Sequence, residues 1–380
     1  MKIYYIANIR LPTEKAHGIQ IMNMCAAFAK TGATVELVVP TRATPILKDP
    51  FTYYRVEKNF LLTTLRVPDL INFRRLGFII SALWFSERAR LRRAFQQADF
   101  IYSRDAFVLI QYMLLGRRLV FEVHTLPSAI SRFVAKHAYR VIAISKGLAS
   151  AYAAAGVPSE RIVVASDAVD LKLFAPITDK HALRRELDLP TDRFIVGYVG
   201  KLTTMEREKG VDDLLRSFAA VYQKNQKTFL LLVGAGAREV DGVVQKLKSF
   251  GVPDGSFSIL PHVTHEQAAR YMQAADALIM NYPNSAHYAH YMSPLKLFEY
   301  MASGTPIITS DLPSIREILS EKNAFFVPPS DVGALAEAIT SVMAQEEEVS
   351  RRAALARRDI EAYTWDKRAQ AILQFIQQQS

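Results

Sequence analysis

The sequence predicts an α/β protein built on two parallel sheets, and three observations carry that reading. Short β-branched or aromatic runs alternate with amphipathic stretches of helical period, the pattern of parallel strands joined by crossover helices. The alternation runs through the chain twice, on either side of a polar stretch at 176–192 that holds little β-branched material. At 380 residues the chain is also long for a single core, since domains commonly hold roughly 100–200 residues.

The first half reads as strands at 2–8, 34–39, 99–103, 119–124, 141–145 and 162–166. The helix after the first strand carries Ile21, Met24, Cys25, Phe28 and Ala29 at helical spacing and stops near Thr31-Gly32. The second half reads as strands at 194–200, 229–234, 257–260, 277–281, 306–310 and 324–327. Helical patterns lie between them near 211–224, 239–250, 265–274, 295–303 and 332–345. The polar stretch is the expected linker, with a short helix over 183–187. Domains are therefore expected at 1–180 and 181–360.

Half of the residues are hydrophobic and 22% are charged, which excludes an intrinsically disordered chain. A single cysteine, Cys25, excludes an intramolecular disulfide and any multi-cysteine metal site, and fits a reducing cytoplasm. No signal peptide is legible, because Met1-Lys2 leads straight into a strand. The most lipophilic stretch, 76–85, is well short of the ~20 apolar residues of a membrane helix. The expectation is a cytoplasmic protein, soluble or peripheral to a membrane. Charge is uneven: residues 1–180 hold 25 Lys and Arg against 13 Asp and Glu, whereas the remainder is close to neutral. A basic half suggests a negatively charged partner, such as nucleic acid, an anionic membrane or a phosphorylated substrate.

Ligands of open parallel sheets bind beyond the carboxyl ends of strands, so the loops there are the candidate sites. The first loop, 9–18, ends in Ala16-His17-Gly18 before a helix, where a glycine and free helix amides suit a phosphate. An ordinary strand-to-helix turn fits equally well, and the spacing is not the G-x-G-x-x-G of dinucleotide folds. The second loop runs from Val199-Gly200-Lys201 to Lys209-Gly210, and its lysines suit a diphosphate or simply a solvated loop. The third segment is Ser293-Pro-Leu-Lys-Leu-Phe-Glu-Tyr-Met-Ala-Ser-Gly304. Its Lys296 and Glu299 share one helix face, as a plain surface pair would. Glu299 offers two acceptor oxygens to a ribose diol, and the amides at Ser293 to Leu295 face the same way.

In this order and spacing, the three segments resemble the retaining family-4 (group 1) glycosyltransferases of the GT-B fold. The similarity extends to Leu231-Leu-Val-Gly234, Ala274-Ala-Asp276 and Tyr363-Thr-Trp-Asp-Lys367, and so spans nearly the whole chain. The resemblance implies two Rossmann-like domains with their sheets facing a central cleft: an acceptor domain, then a nucleotide-sugar domain. Residues 361–380 are expected to return to the first. It implies that Glu299 binds the ribose, that Lys201 and Lys209 bind the diphosphate beside Gly18, Gly200, Ser293, Leu295 and Lys296, and that backbone at His262 and Val263 meets the base. His124, after the strand at 119–124, would lie near the reacting sugar, so His124, Lys201 and Lys209 are the expected catalytic residues. One departure is visible: the family's usual first glutamate, eight residues before Glu299, is Tyr291. Arg104-Asp105 reads as an ion pair fixing its loop in preference to a part of acceptor binding, and Asp167-Ala-Val-Asp170 as a structural turn between the halves.

The resemblance favours retention by same-face attack, with the leaving phosphate accepting the acceptor's proton. No D-x-D triplet occurs, so the lysines would replace a divalent metal and no cofactor is expected besides the UDP-sugar or GDP-sugar donor. Rival readings are a nucleotide-sugar epimerase on the same fold and a non-enzymatic basic protein on a membrane. No nucleic-acid motif is present. Leu76, Phe78, Ile79, Leu83, Trp84 and Phe85, with Phe73 just ahead, are flanked by Arg74-Arg75 and the basic run that includes Arg90, Arg92 and Arg93. That pattern suits an interfacial helix and a lipid-linked acceptor in cell-envelope glycan synthesis. The competing reading packs the apolar residues into the first domain's core.

Overall fold

The computed structural model describes residues 1–68, 70, 74–204 and 207–378, and the side chains of Arg74, Arg75, Thr204, Arg207 and Glu208 also lie outside the description. Two compact units result. The first comprises Met1–Asp167 with the C-terminal segment from Trp365, and the second Ala168–Thr364.

The first unit carries a seven-stranded parallel sheet: β1 (Lys2–Ile6), β2 (Thr34–Pro40), β3 (Leu61–Leu65), β4 (Phe100–Ser103), β5 (Leu119–Val123), β6 (Arg140–Ala143) and β7 (Ile162–Val164). Its order is β3-β2-β1-β4-β5-β6-β7, so the chain reverses direction across the sheet between β1 and β4. β3 is absent from the sequence expectation. It is an edge strand with no fully buried residue, so its Leu-Leu-Thr-Thr-Leu run shows no alternation. Helix α1 (Ala16–Lys30) buries Ile21, Met24, Cys25 and Phe28 under the sheet. Helix α2 (Arg74–Arg90) turns Ala82, Phe85 and Ala89 inward.

The second unit repeats the architecture with six parallel strands: β8 (Phe194–Val199), β9 (Thr228–Ala235), β10 (Phe257–Pro261), β11 (Ala277–Met280), β12 (Ile307–Ser310) and β13 (Phe325–Val327). The order is β10-β9-β8-β11-β12-β13, which puts the reversal between β8 and β11. Three helices matter for the site: α3 (Val211–Lys224), α4 (His265–Ala274) and α5 (Leu295–Ser303). A two-stranded antiparallel hairpin pairs Thr203–Thr204 with Arg207–Glu208, where the sequence suggested only a charged loop.

The boundary falls at Asp167, not at residue 180, and 176–192 is part of the second unit. Ion pairing is the reason. Asp276 accepts from Lys180 Nζ at 2.8 Å, Arg184 Nη2 at 2.5 Å and the Ile195 amide at 2.7 Å. Phe174 and Leu183 sit in the same core. Polar composition thus marked a pinned surface segment, not a free linker. The last helix, α6 (Trp365–Gln377), packs on α1 in the first unit, burying Trp365, Ala369 and Ile372.

Candidate functional site

In both sheets the strand reversal leaves a crevice beyond the carboxyl ends of two neighbouring strands, the place where such sheets bind ligands. In the second unit these ends supply Gly200-Lys201 after β8 and Asn281-Tyr282 after β11. Tyr300 fixes α5 to this edge: its hydroxyl accepts from the Val199 amide at 2.9 Å and donates to the Val199 carbonyl at 3.2 Å. Lys296 is thereby carried past Gly200, and its ammonium lies 4.0 Å from the Tyr198 ring centroid and 4.6 Å from that of Tyr282. Gly210 begins α3 at φ 80, and a Cβ there would overlap the Asn281 carbonyl. The Asn281 side-chain amide in turn donates to the Gly210 carbonyl. Glycine is required at that junction, and it brings Lys209 to the crevice.

Lys201, Lys209 and Lys296 have no ion-pair partner among the described residues. Burial and the Lys201 charge bring the Lys209 ammonium down to about 8. Burial, with the Lys209 charge next, holds Lys296 well below the usual lysine range, and Glu299 only partly opposes this. Three neighbouring cations, only partly offset by Glu239 and Glu299, form a site deficient in negative charge. A diphosphate would relieve that deficiency.

Glu299 is almost buried, and its Oε1 lies 2.6 Å from His265 Nε2 at the start of α4. Burial alone would lower the His265 value, but the Glu299 carboxylate, with Asp170 behind it, raises it. One carboxylate oxygen is held by histidine, and the other remains for a ligand. The sequence reading missed His265, although it stands three residues beyond His262. His262 is exposed just past β10, and Val263 packs against the core. Ser293 and Leu295 open α5, whose N-cap Pro294 supplies no side-chain acceptor. Tyr291 is half-buried at the end of the preceding helical turn, its ring 5.8 Å from that of His290.

In the first unit a cavity of about 450 Å³ lies at the β1/β4 reversal, lined by Asn8, His17, Ser103, Arg104, Asp105, His124 and neighbours. Arg104 and Asp105 are not an ion pair. Arg104 Nη1 donates to Gln20 Oε1 at 2.6 Å, while Asp105 caps the next helix through the Phe107 and Val108 amides. Gly18 has a packing role: a Cβ there would overlap the hydroxyl of Tyr54, which donates to the Thr13 carbonyl and accepts from the Thr13 amide. His124 Nε2 lies 2.7 Å from Glu122 Oε1. Burial and Arg104 bring His124 down to about 4 despite Glu122, so its imidazole is neutral at pH 7. His17 falls to about 4 for the same two reasons.

Comparison with known proteins decides the family. The profile described as "Glycosyltransferase Family 4" matches residues 18–173, and "Glycosyl transferases group 1" matches 193–345. The chain belongs to the group 1, family 4 glycosyltransferases. Among curated members of this family, a D-inositol 3-phosphate glycosyltransferase of Xylanimonas cellulosilytica is 28% identical over 228 residues, 57% of this chain and 51% of that one. The putative teichuronic acid biosynthesis glycosyltransferase TuaC of Bacillus subtilis is 27% identical over 161 residues, 42% of this chain and 36% of its own. The matches thus span about half the length of the first of these relatives and about a third of TuaC. Similar folds are HepE of Anabaena, solved with UDP and glucose, and the sucrose-phosphate synthase of Thermosynechococcus elongatus. HepE superposes with a TM-score of 0.76 at 18% identity over the full length of both chains. The synthase gives 0.77 at 22% identity over 98% of this chain and 97% of that one. The GT-B fold expected from the family is therefore the fold of this chain.

Proposed function

We propose that this family member is a retaining glycosyltransferase that moves a sugar from a nucleoside diphosphate donor to an acceptor without a metal ion. The observation that carries this reading is the trio of lysines at the β8/β11 reversal, which have no carboxylate partner among the described residues and stand beside Glu299. A diphosphate satisfies the lysines, and the free Glu299 oxygen accepts from a ribose hydroxyl. The structures of HepE with UDP-glucose and of the Escherichia coli trehalose-6-phosphate protein with UDP-2-fluoro glucose support a uridine donor. In the reaction the bond between the anomeric carbon and phosphate oxygen breaks, and a bond to the acceptor oxygen forms on the same face. The acceptor's proton passes to the departing phosphate oxygen. Lys201 and Lys209 stabilise the charge that develops there, the task a divalent cation would otherwise perform. The test follows transfer in chelator and assigns the product anomer by NMR. Full activity with retained configuration is expected. Loss in chelator that magnesium or manganese restores would end the metal-free mechanism, and an inverted product would end retention.

The acceptor in this reading is a lipid-linked saccharide met at an anionic membrane, in cell-envelope glycan synthesis. Helix α2 supports it. Leu76, Phe78, Ile79, Ile80, Leu83 and Trp84 are exposed, Trp84 by 52%, while among the described residues expected at an interface Phe85 turns into the core. Phe73 and the side chains of Arg74 and Arg75 lie outside the described residues. Arg93 is exposed, Arg90 pairs with Glu87 at 2.5 Å, and Arg92 pairs with Glu36 at 3.2 Å. No helix among the described residues is long and apolar enough to cross a membrane. Sedimentation with anionic vesicles at low salt is expected, weakened by added salt and by changing Arg90, Arg92 and Arg93 to Glu. Each basic residue at such a surface contributes about 1 kcal/mol. No binding at low salt would remove the membrane from the scheme.

A further inference from the structure

Glu122 is a fully buried carboxylate at the heart of the first unit, and four side chains converge on it. Gln20 and Tyr102 donate to its two oxygens, His124 Nε2 lies 2.7 Å from Oε1, and Arg368 Nη2 donates to Oε1 at 3.1 Å. Arg368 arrives from α6, 246 residues further along the chain, and is itself 5% exposed. Its Nε is held by the Ser166 carbonyl at 2.9 Å and Nη2 by that of Ala165 at 3.1 Å. The guanidinium is thus fixed against the end of β7 with its charge directed at Glu122.

A carboxylate can only accept, so an ionised Glu122 requires the proton on His124 Nε2. That leaves Nδ1, which has no hydrogen-bond partner among the described residues, as a lone pair on a ring that lines the cavity. We propose that Arg368 and Glu122 are positioning residues that lock His124 in its Nε2–H tautomer, so that Nδ1 accepts a hydrogen bond from a sugar hydroxyl in the cavity. The control depends on Glu122 staying ionised. Burial alone would raise the Glu122 carboxyl; Arg368, with the His124 hydrogen bond, outweighs it and holds the group well below its usual range. Without Arg368, the buried carboxyl would take up a proton, and a carboxylic acid donates. His124 would then carry its proton on Nδ1 and lose the acceptor that the hydroxyl needs. The groups facing this pair are Gln20 and Cys25 on α1, Tyr5 on β1, Tyr102 on β4, Arg104 and Asp167.

This inference rests on the proposed transferase reading, and three variants separate the two. His124→Ala must first lower kcat; if it keeps wild-type turnover, His124 is outside the reaction and the reading of that residue fails. With that established, Arg368→Gln is expected to lower kcat on the order of 10-fold near pH 6 with donor KM unchanged. Activity should recover as pH rises and ionises Glu122, a limb absent from the wild type. Arg368→Lys keeps the charge and should show no such acidic limb. Long-range 1H–15N correlations, with the His124 signals assigned by loss in His124→Ala, should show Nε2–H in the wild type and Nδ1–H in Arg368→Gln at low pH. Should Arg368→Gln melt below the assay temperature, Tyr102→Phe, which removes one donor from Glu122 and keeps the ring, must produce the same limb in weaker form. Absence of the acidic limb, with Nε2–H retained in the variant that folds, would overturn the proposal.

Discussion

Replacing Lys201 or Lys209 with alanine is expected to lower kcat on the order of 100-fold or more in each case, with a smaller change in donor KM. The argument starts from where charge develops. As the sugar leaves, negative charge builds on the bridging phosphate oxygen, and a cation in a site of reduced solvation stabilises that state more than the ground state. Lys209 is buried enough that its ammonium falls to about 8, and the neighbouring Lys201 adds to the fall. The sign for pH follows: kcat/KM, which reports the free enzyme, should decline as pH rises through about 8 and Lys209 loses its proton. Lys209→Arg, which stays protonated, should move that decline upward even if its geometry lowers turnover. A loss confined to donor affinity, with kcat intact, would contradict the role. A constant kcat/KM between pH 7 and 9 would exclude Lys209 as the titrating group.

Glu299→Ala is expected to raise donor KM on the order of 10-fold to 100-fold, the range for losing a charge-assisted hydrogen bond to a ribose hydroxyl. Substitution also strands His265, which now holds Oε1 at 2.6 Å. Since Glu299 and Asp170 raise His265 above its ordinary value, their pairing contributes fully to stability below about 6.5 and fades as pH rises through the raised value. The wild type should therefore lose a small part of its thermal stability over that window, and Glu299→Ala should not. Glu299→Gln keeps the shape but can only accept through one oxygen, so it should fall between wild type and alanine. An unchanged KM in Glu299→Ala would take the residue out of the donor site.

Much of this architecture is legible in the sequence because its signals are local. The helices at 211–224, 265–274 and 295–303 are bounded by caps and breakers within a few residues, and the structure places them at those positions. Twelve of the thirteen strands of the two parallel sheets follow from short β-branched or aromatic runs, and the central ones, buried on both faces, are the plainest in composition. The edge strand β3 does not, because its Leu-Leu-Thr-Thr-Leu run holds no valine, isoleucine or aromatic residue. The lysines and Glu299 could be named as site candidates from the sequence, as loops and helix starts after strands are where a parallel sheet binds ligands.

Partner choice is what the sequence could not supply. Arg104 stands next to Asp105, yet its guanidinium goes to Gln20 on another element, because the strand end points the two side chains apart. Gly18 looked like space for a phosphate and instead makes room for Tyr54. The 176–192 stretch looked like a linker until Lys180 and Arg184 found Asp276. Glu122 in β5 and His124 one residue past its end are two apart, share a face and could have been paired by spacing alone. Arg368 could not: no local pattern predicts that a residue of the last helix neutralises a carboxylate in β5. A buried charge must be matched by whichever group the fold brings within about 3 Å, and only the tertiary structure decides which group that is.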